Sequence, residues 1–273
     1  MRLRYPLGAA VALLAALTPT AAAQPAPGAD LGWVRLGHLS PKAPPVDIYL
    51  AAFGGPEQVV VRKAGYGAVT PYSALKPGAY TVAMRPADAG PETPPALSAT
   101  VEIARGTAYS LLVFATGPDG ALRGDLVIDD LTAPAPGTGR LRVVQGATAE
   151  VTAEVGTGPA LADGAAYGMT TPYAQLAQGR YPLRLRGGSA DSVAASVAEV
   201  DVRPGTSTTL LVTESGGALT AKPLTDSAGP ATTPLLGVET GGGGTAPDNS
   251  PTWLLGVLPV AALAAWALGR RVA

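Results

Sequence analysis

Cysteine is absent from all 273 residues, and histidine occurs once, at His38. Without thiols there is no disulfide framework, no thiolate metal site, no cysteine nucleophile and no lipid-modified cysteine. A single imidazole narrows the available chemistry further. Charge is also sparse, at 14% of residues against roughly 25% in an ordinary soluble domain. The 19 basic residues against 20 acidic ones leave a net charge of −1, so no field of one sign exists to attract nucleic acid. Nothing in the sequence calls for a cofactor, and helical periodicity is weak outside the ends. What abounds is glycine and proline: (35 + 27)/273 is about 23%, roughly twice the usual share, so turns are numerous.

Both ends read as membrane signals. Arg2 and Arg4 precede an apolar stretch from Leu7 to Leu17, and Ala21-Ala22-Ala23 precedes Gln24, the order of a signal peptide over residues 1–23. Near the other end, residues 252–269 carry no charge and are followed by Arg270 and Arg271. At about 1.5 Å per residue this stretch spans roughly 27 Å, close to a hydrocarbon core of about 30 Å, so one transmembrane helix is expected there. Pro259 predicts a kink in it. The arginines place residues 270–273 in the cytoplasm, and the bulk of the chain outside the plasma membrane. A sortase-processed tail is the rival reading, but only Thr233-Pro234-Leu235-Leu236-Gly237 stands where Leu-Pro-x-Thr-Gly is wanted. Residues 227–251, with Gly241 to Gly244 and scattered Pro, Thr and Ser, have the composition of a flexible stalk.

The middle repeats itself. Tyr66, Gly67, Thr70, Pro71, Tyr72, Leu75, Gly78, Tyr80 and Arg85 recur without gaps as Tyr167, Gly168, Thr171, Pro172, Tyr173, Leu176, Gly179, Tyr181 and Arg186, at a constant offset of 167 − 66 = 101. Upstream, Gly32 and Arg35 match Gly139 and Arg142. Downstream, Leu111-Leu112-Val113 matches Leu210-Leu211-Val212. Two domains follow, at 31–131 and 139–226, each large enough for its own core. Within them apolar residues alternate: Tyr80, Val82 and Met84 share one strand face, as do Tyr181, Leu183 and Leu185. Strands are expected near 33–38, 46–50, 58–62, 79–85, 98–104, 108–114 and 121–128, with counterparts in the second copy. The fold class is therefore all-β: two tandem antiparallel β-sandwich domains, immunoglobulin-like or transthyretin-like.

The run from Val34 to Leu50, VRLGHLSPKAPPVDIYL, followed by Tyr66-Gly67, Thr70-Pro71-Tyr72 and Pro77-Gly78-x-Tyr80, resembles the bacterial domain of unknown function 4397 family. His38, Ser40, Pro41, Ala43, Pro44, Val46, Asp47 and Tyr49 carry the likeness, and Lys42 departs from it. The second copy has Gln145-Gly146-Ala147-Thr148 in place of the His-x-Ser-Pro signature. The resemblance implies exported, surface-associated β domains, often in tandem, and no established activity.

His38, Ser40 and Asp47 are the one grouping that could suggest a hydrolase triad, but nothing supplies an oxyanion hole or nucleophile elbow. The structural alternative has His38 closing a strand, Ser40-Pro41 starting a turn and Asp47 accepting backbone donors. Tyr66, Tyr72, Tyr167 and Tyr173 could grip a sugar or peptide, but the alternation favours a place in the sandwich cores with hydroxyls tied to backbone. Asp119, Asp125, Asp129 and Asp130 read as solvated turn acids rather than a calcium loop. Arg123-Gly124-Asp125 is a chance tripeptide, and Arg180, Arg184 and Arg186 form a basic edge that discourages strand pairing or touches anionic wall polymer. Catalytic, cofactor and metal residues are expected to be none. The leading expectation is a non-enzymatic surface protein for binding or envelope interaction, its partners a cell-wall polymer or another surface protein. An envelope hydrolase acting on glycan or peptide, or a mechanical spacer, are the alternatives.

Overall fold

The computed structural model describes residues 30–90, 92–116, 121–187, 196–228 and Pro234. The segments expected to be signal peptide, transmembrane span and cytoplasmic tail, nearly all of the expected stalk, and Asp119 lie outside these residues. No helix among the described residues is long and apolar enough to cross a membrane.

The first module holds β1 (Gly32–His38), β2 (Val46–Ala52), β3 (Gln58–Ala64), β4 (Ala68–Val69), β5 (Ser73–Leu75), β6 (Gly78–Pro86), β7 (Leu97–Ile103), β8 (Ala108–Ala115) and β9 (Leu122–Asp129). The second holds β10 (Thr138–Gln145), β11 (Val151–Val155), β12 (Ala162–Ala165), β13 (Ala174–Ala177), β14 (Gly179–Gly187), β15 (Ser196–Val202), β16 (Thr206–Ser215) and β17 (Ala218–Ala228). One sheet of the first module has the order β4-β1-β8-β9, with β5 also beside β1, and the other has β3-β2-β6-β7. The second module repeats this as β13-β10-β16-β17 and β12-β11-β14-β15. Two sheets per module, of five and four strands in the first and four each in the second, give the all-β sandwich architecture.

Alternation explains the cores. Val34, Leu36, Val46, Ile48, Val82, Met84, Val101, Ile103, Leu111 and Val113 point between the two sheets of the first module. Leu141, Val143, Val151, Leu183, Leu185, Val200, Leu210 and Val212 do the same in the second. Tyr80 and Tyr181 pack against these cores, and their hydroxyls donate to the Lys76 and Ala177 carbonyls, both at 3.0 Å. Both tyrosines thus tie ring to core and hydroxyl to backbone, as expected. The matched glycines Gly32 and Gly139 are required by close packing: a Cβ would stand 2.4 Å from the Ala104 carbonyl oxygen in one and 2.6 Å from that of Arg203 in the other.

Two expectations need correction. One sheet of each module is mixed rather than antiparallel, because β1 runs parallel to β8 and β10 parallel to β16, while the other sheet of each is antiparallel throughout. Side-chain alternation fixes which face is buried and carries no information on the direction of a distant partner. The Thr70-Pro71-Tyr72 region interrupts an edge made of β4 and β5, which pair antiparallel with β1 at Gly37–His38 and Gly32–Val34. Proline interrupting an edge strand is the position a sheet tolerates. Finally, β17 runs to Ala228 and Pro234 forms a bridge to Ser227, so ordered pairing extends past residue 226.

Candidate functional site

β1 and β8 are buried along their whole lengths, β1 at every residue and β8 at all but its last. A strand is buried on both faces only if its sheet is covered on both. One face of the β4-β1-β8-β9 sheet meets its own sandwich core. The other meets the equivalent sheet of the second module, and both modules lie within one compact unit. Leu39, Leu112, Phe114, Val144 and Leu211 form the apolar part of this contact, with Val69, Val127, Tyr167 and Leu224 around them. Phe114 meets Tyr167 edge-on, ring centroids 5.4 Å apart.

At its centre lie four charges. Arg35 is 3% exposed, Arg142 3%, Asp129 5% and Asp226 0%, so each charge requires a partner. Each arginine crosses to the other module. Arg35 Nη1 donates to Asp226 Oδ1 at 2.6 Å, and Arg142 Nη2 donates to Asp129 Oδ1. Each carboxylate is held from its own side. Asp129 Oδ2 accepts from Tyr72 Oη and Ser110 Oγ, both 2.7 Å, and Asp226 Oδ2 accepts from Tyr173 Oη at 2.7 Å and Thr209 Oγ1 at 2.8 Å. Arg35 Nε donates to Ser110 Oγ at 2.7 Å and Arg142 Nε to Thr209 Oγ1 at 2.9 Å. The guanidiniums lie over the rings of Tyr72 and Tyr173 at 4.7 and 4.5 Å. Burial opposes the charge on Arg35, and Asp226, Tyr72, Asp129 and Tyr173 together more than offset it, holding the guanidinium above its ordinary pKa. Burial pushes Tyr72 and Tyr173 well above the usual phenol range, which keeps them as protonated donors.

A second reciprocal pair flanks the charges. Tyr66 Oη donates to the Gly146 carbonyl at 2.7 Å and accepts from Glu214 N at 3.0 Å. Tyr167 Oη donates to the Leu39 carbonyl at 2.8 Å and accepts from Ala115 N at 2.9 Å. The offsets 146 − 39 = 107 and 214 − 115 = 99 repeat those of Arg35/Arg142 and Leu111/Leu210, so the face has a local two-fold relation.

The expected site residues divide accordingly. Tyr66, Tyr72, Tyr167 and Tyr173 come together, but at the face between modules rather than in the sandwich cores. Tyr72 packs there in a small cluster with Trp33, Ala108 and Leu131. The alternation rule led astray because it was taken from Tyr80, which lies on a different strand. Asp129 is the clearest miss: read as a solvated turn acid, it is a buried member of the charge quartet. A signal for it existed, since each module carries an Asp at or near the end of its last long strand, 226 − 129 = 97. Arg35 and Arg142 were matched but given no role, although an arginine midway along an otherwise apolar strand in both copies demands a buried acid.

His38, Ser40 and Asp47 do not converge. His38 is fully buried, and its Nε2 faces the Pro44 carbonyl at 3.3 Å, so it carries the proton and donates. Burial holds its pKa below the ordinary value. Asp47 Oδ1 accepts from Lys63 N at 2.8 Å, and Oδ2 meets Arg62 at 3.5 Å. Lys63 has φ = 54°, so Asp47 pins a left-handed residue in β3, and Thr152 does the same for Gly164, φ = 56°, in β12. Ser40 is buried beside Tyr167. Pro41 opens the turn after β1 and lines a cleft of about 210 Å³ with Lys42, Ala115, Thr116, Thr148 and Tyr167. Tyr49 lies under Arg85 at 4.7 Å, and Arg85 is tied to Glu57. Arg123 and Asp125 pair with each other at 3.1 Å. Arg180, Arg184 and Arg186 lie on β14, a central strand between β11 and β15 rather than an edge. Arg140 holds Asp130 far below the usual carboxylate range. No group of three His, Cys, Asp or Glu among the described residues is placed to hold a metal ion.

The arrangement defines a protein of paired β-sandwich modules locked by a reciprocal polar face. Residues 32–155 match the family described as Domain of unknown function (DUF4397). The match runs through all of the first module and into β11 of the second. No curated protein matches the sequence. Among solved structures it is similar to one titled "The Bacillus anthracis TIE protein", with 14% identity and a TM-score of 0.24 over 67% of this chain. The chain spans about a third of that structure, 34% of its length, and a likeness of this degree carries no argument.

Proposed function

We propose that the chain is a non-enzymatic cell-surface protein, exported and held by one C-terminal span, whose modules bind an envelope component such as a wall polymer or another surface protein. The second module, on this reading, is a diverged copy of the first. The carrying observation is where the repeated residues go. Every tyrosine of the Tyr-Gly and Thr-Pro-Tyr motifs, and the matched Arg35 and Arg142, serve the joint between modules, which favours a rigid two-module display unit over a catalytic cleft. The separate partners of His38 and Asp47 weigh against the hydrolase reading. The joint is equally what a mechanical spacer needs, so the discriminating measurement is binding.

Two experiments test it. Protease shaving of intact cells should release fragments from residues 30–228, and full protection of the chain would end the surface assignment. Wall polymer purified from the producing cells should bind the detergent-solubilised chain saturably. Linear, unsaturable uptake would leave the spacer, and turnover of the polymer that His38→Ala abolishes without unfolding the chain would establish the hydrolase.

A further inference from the structure

The contact between modules is made without strand pairing: each sheet is complete within its own module. The modules can part without breaking a sheet. The covalent tie between β9 and β10 runs from Asp130 to Gly137; Leu131 is buried against the first module, and the polar contacts of the tie are exposed, chiefly Arg140 with Asp130 and the Thr132 carbonyl. Nothing in this tie requires that the partner module belong to the same chain.

The face is also selective. A Cβ placed on Gly146 would stand 3.7 Å from Leu39 Cβ. Leu39 and Gly146 are equivalent positions, so two first modules would oppose Leu39 to Leu39, and two second modules would oppose glycine to glycine. Likewise Phe114 meets Tyr167 on one side of the local axis, whereas Thr213 lies near Gly67 on the other. A first module against a second is the pairing that fills space; the charges, equivalent in the two modules, pair across it as they do within one chain.

The geometry points to a second occupant for this face: another copy of the chain. The first module of each chain seats on the second module of the other, so that Arg35 meets Asp226 and Arg142 meets Asp129 across chains, closing a two-fold dimer. The closed single chain is favoured by the millimolar effective concentration that a short tie gives. Crowding of copies, or a tie too short to span, shifts the balance to exchange. The inference rests on the face alone and not on surface display; the shaving experiment and the one below fail independently.

The absence of cysteine makes the test direct. Full-length chains carrying Leu39→Cys with one affinity tag and Gly146→Cys with another are co-expressed and oxidised. The 3.7 Å separation lies within the disulfide range of about 3.5–4.5 Å between Cβ atoms. A covalent species holding both tags is expected, several-fold above links between two Leu39→Cys chains, and rising further when residues 133–136 are deleted. Formation of the bond only within a chain carrying both substitutions, or equal linking of Leu39→Cys to itself, overturns the proposal. If the doubly substituted chain does not oxidise, light scattering of the otherwise unsubstituted deletion variant decides: a dimer supports exchange and a monomer overturns it.

Discussion

At the end of β1 the first module has His38, buried and bonded to the Pro44 carbonyl. At the end of β10 the second has Gln145, whose amide donates to the Ala149 carbonyl at 2.6 Å while its oxygen accepts from Ala147 N at 2.8 Å. The same exchange recurs on the outer sheet. Asp47 becomes Thr152, and the Arg85–Tyr49 stack becomes an Arg186–Glu154 ion pair. Yet Arg35/Arg142, Tyr66/Tyr167, Tyr72/Tyr173 and Asp129/Asp226 are the same in both halves. Private structural tasks tolerate different chemistry because each needs only some donor or acceptor in place. The charges and tyrosine hydroxyls of the shared face do not, since losing one of them on one side leaves a buried group of the other module unpaired.

The sharpest way to break this contrast is at the charges. Arg35→Met leaves Asp226 buried without its cation, and loss of one partner from a buried ion pair costs about 3–5 kcal/mol. Urea unfolding should show that loss, while Arg184→Ala on the exposed face of β14 shows almost none. Arg35→Met combined with Asp226→Leu should recover much of the deficit, because the paired removal strands no charge. Equal losses for Arg35→Met and Arg184→Ala would refute the account of the face. Next in size are Tyr66→Phe and Tyr167→Phe. Each removes one donor and one acceptor that serve backbone groups across or beside the face, for about 1–3 kcal/mol apiece. Their near-equality is the point, and a large asymmetry would show that the two-fold relation is geometric and not energetic.

How far the sequence speaks follows the same division. The cores were legible: Val34 and Leu36, or Leu183 and Leu185, alternate with polar neighbours, and period two identifies strands. The repeat was legible from Tyr66 to Arg186. What the pattern could not convey was the second burial of β1 and β8, because a run such as Ala108-Tyr109-Ser110-Leu111-Leu112 reads equally as one strong strand or as a strand covered twice. Once that is known, Arg35 and Asp129 stop being surface charges. Strand direction was likewise out of reach, since β1 and β8 are brought together by the whole intervening chain.

His38 offers a pH test of the private differences. Its folded pKa lies below the ordinary value of about 6.5, so below that pH the unfolded chain binds a proton that the folded one refuses. Its contribution is present in full above about pH 6.5 and is lost as pH falls, by up to about 1.4 kcal/mol per unit. His38→Gln copies the second module, keeps an amide donor for Pro44 and removes that slope. Unfolding curves at pH 7 and pH 5 should therefore diverge less for the variant than for the parent chain. An unchanged difference would mean that His38 is protonated in the folded state after all.

The smallest expected effect lies at the bulges of β3 and β12. Lys63 and Gly164 hold the same left-handed backbone, φ = 54° and 56°, one with a side chain and one without. A non-glycine residue there is disfavoured by about 1–2 kcal/mol, partly offset by the roughly 0.5–1 kcal/mol of extra unfolded-state entropy that glycine carries. Lys63→Gly should thus raise stability by about 0.5 kcal/mol. Its exposed ion pair with Asp88, at 3.1 Å, subtracts little, because both groups are well solvated. Gly164→Ala should lower stability by a similar amount, and purely through the backbone, as no atom lies within 4 Å of the added Cβ. If both substitutions move stability in the same direction, the two bulges are not the equivalent devices that Asp47 and Thr152 make them.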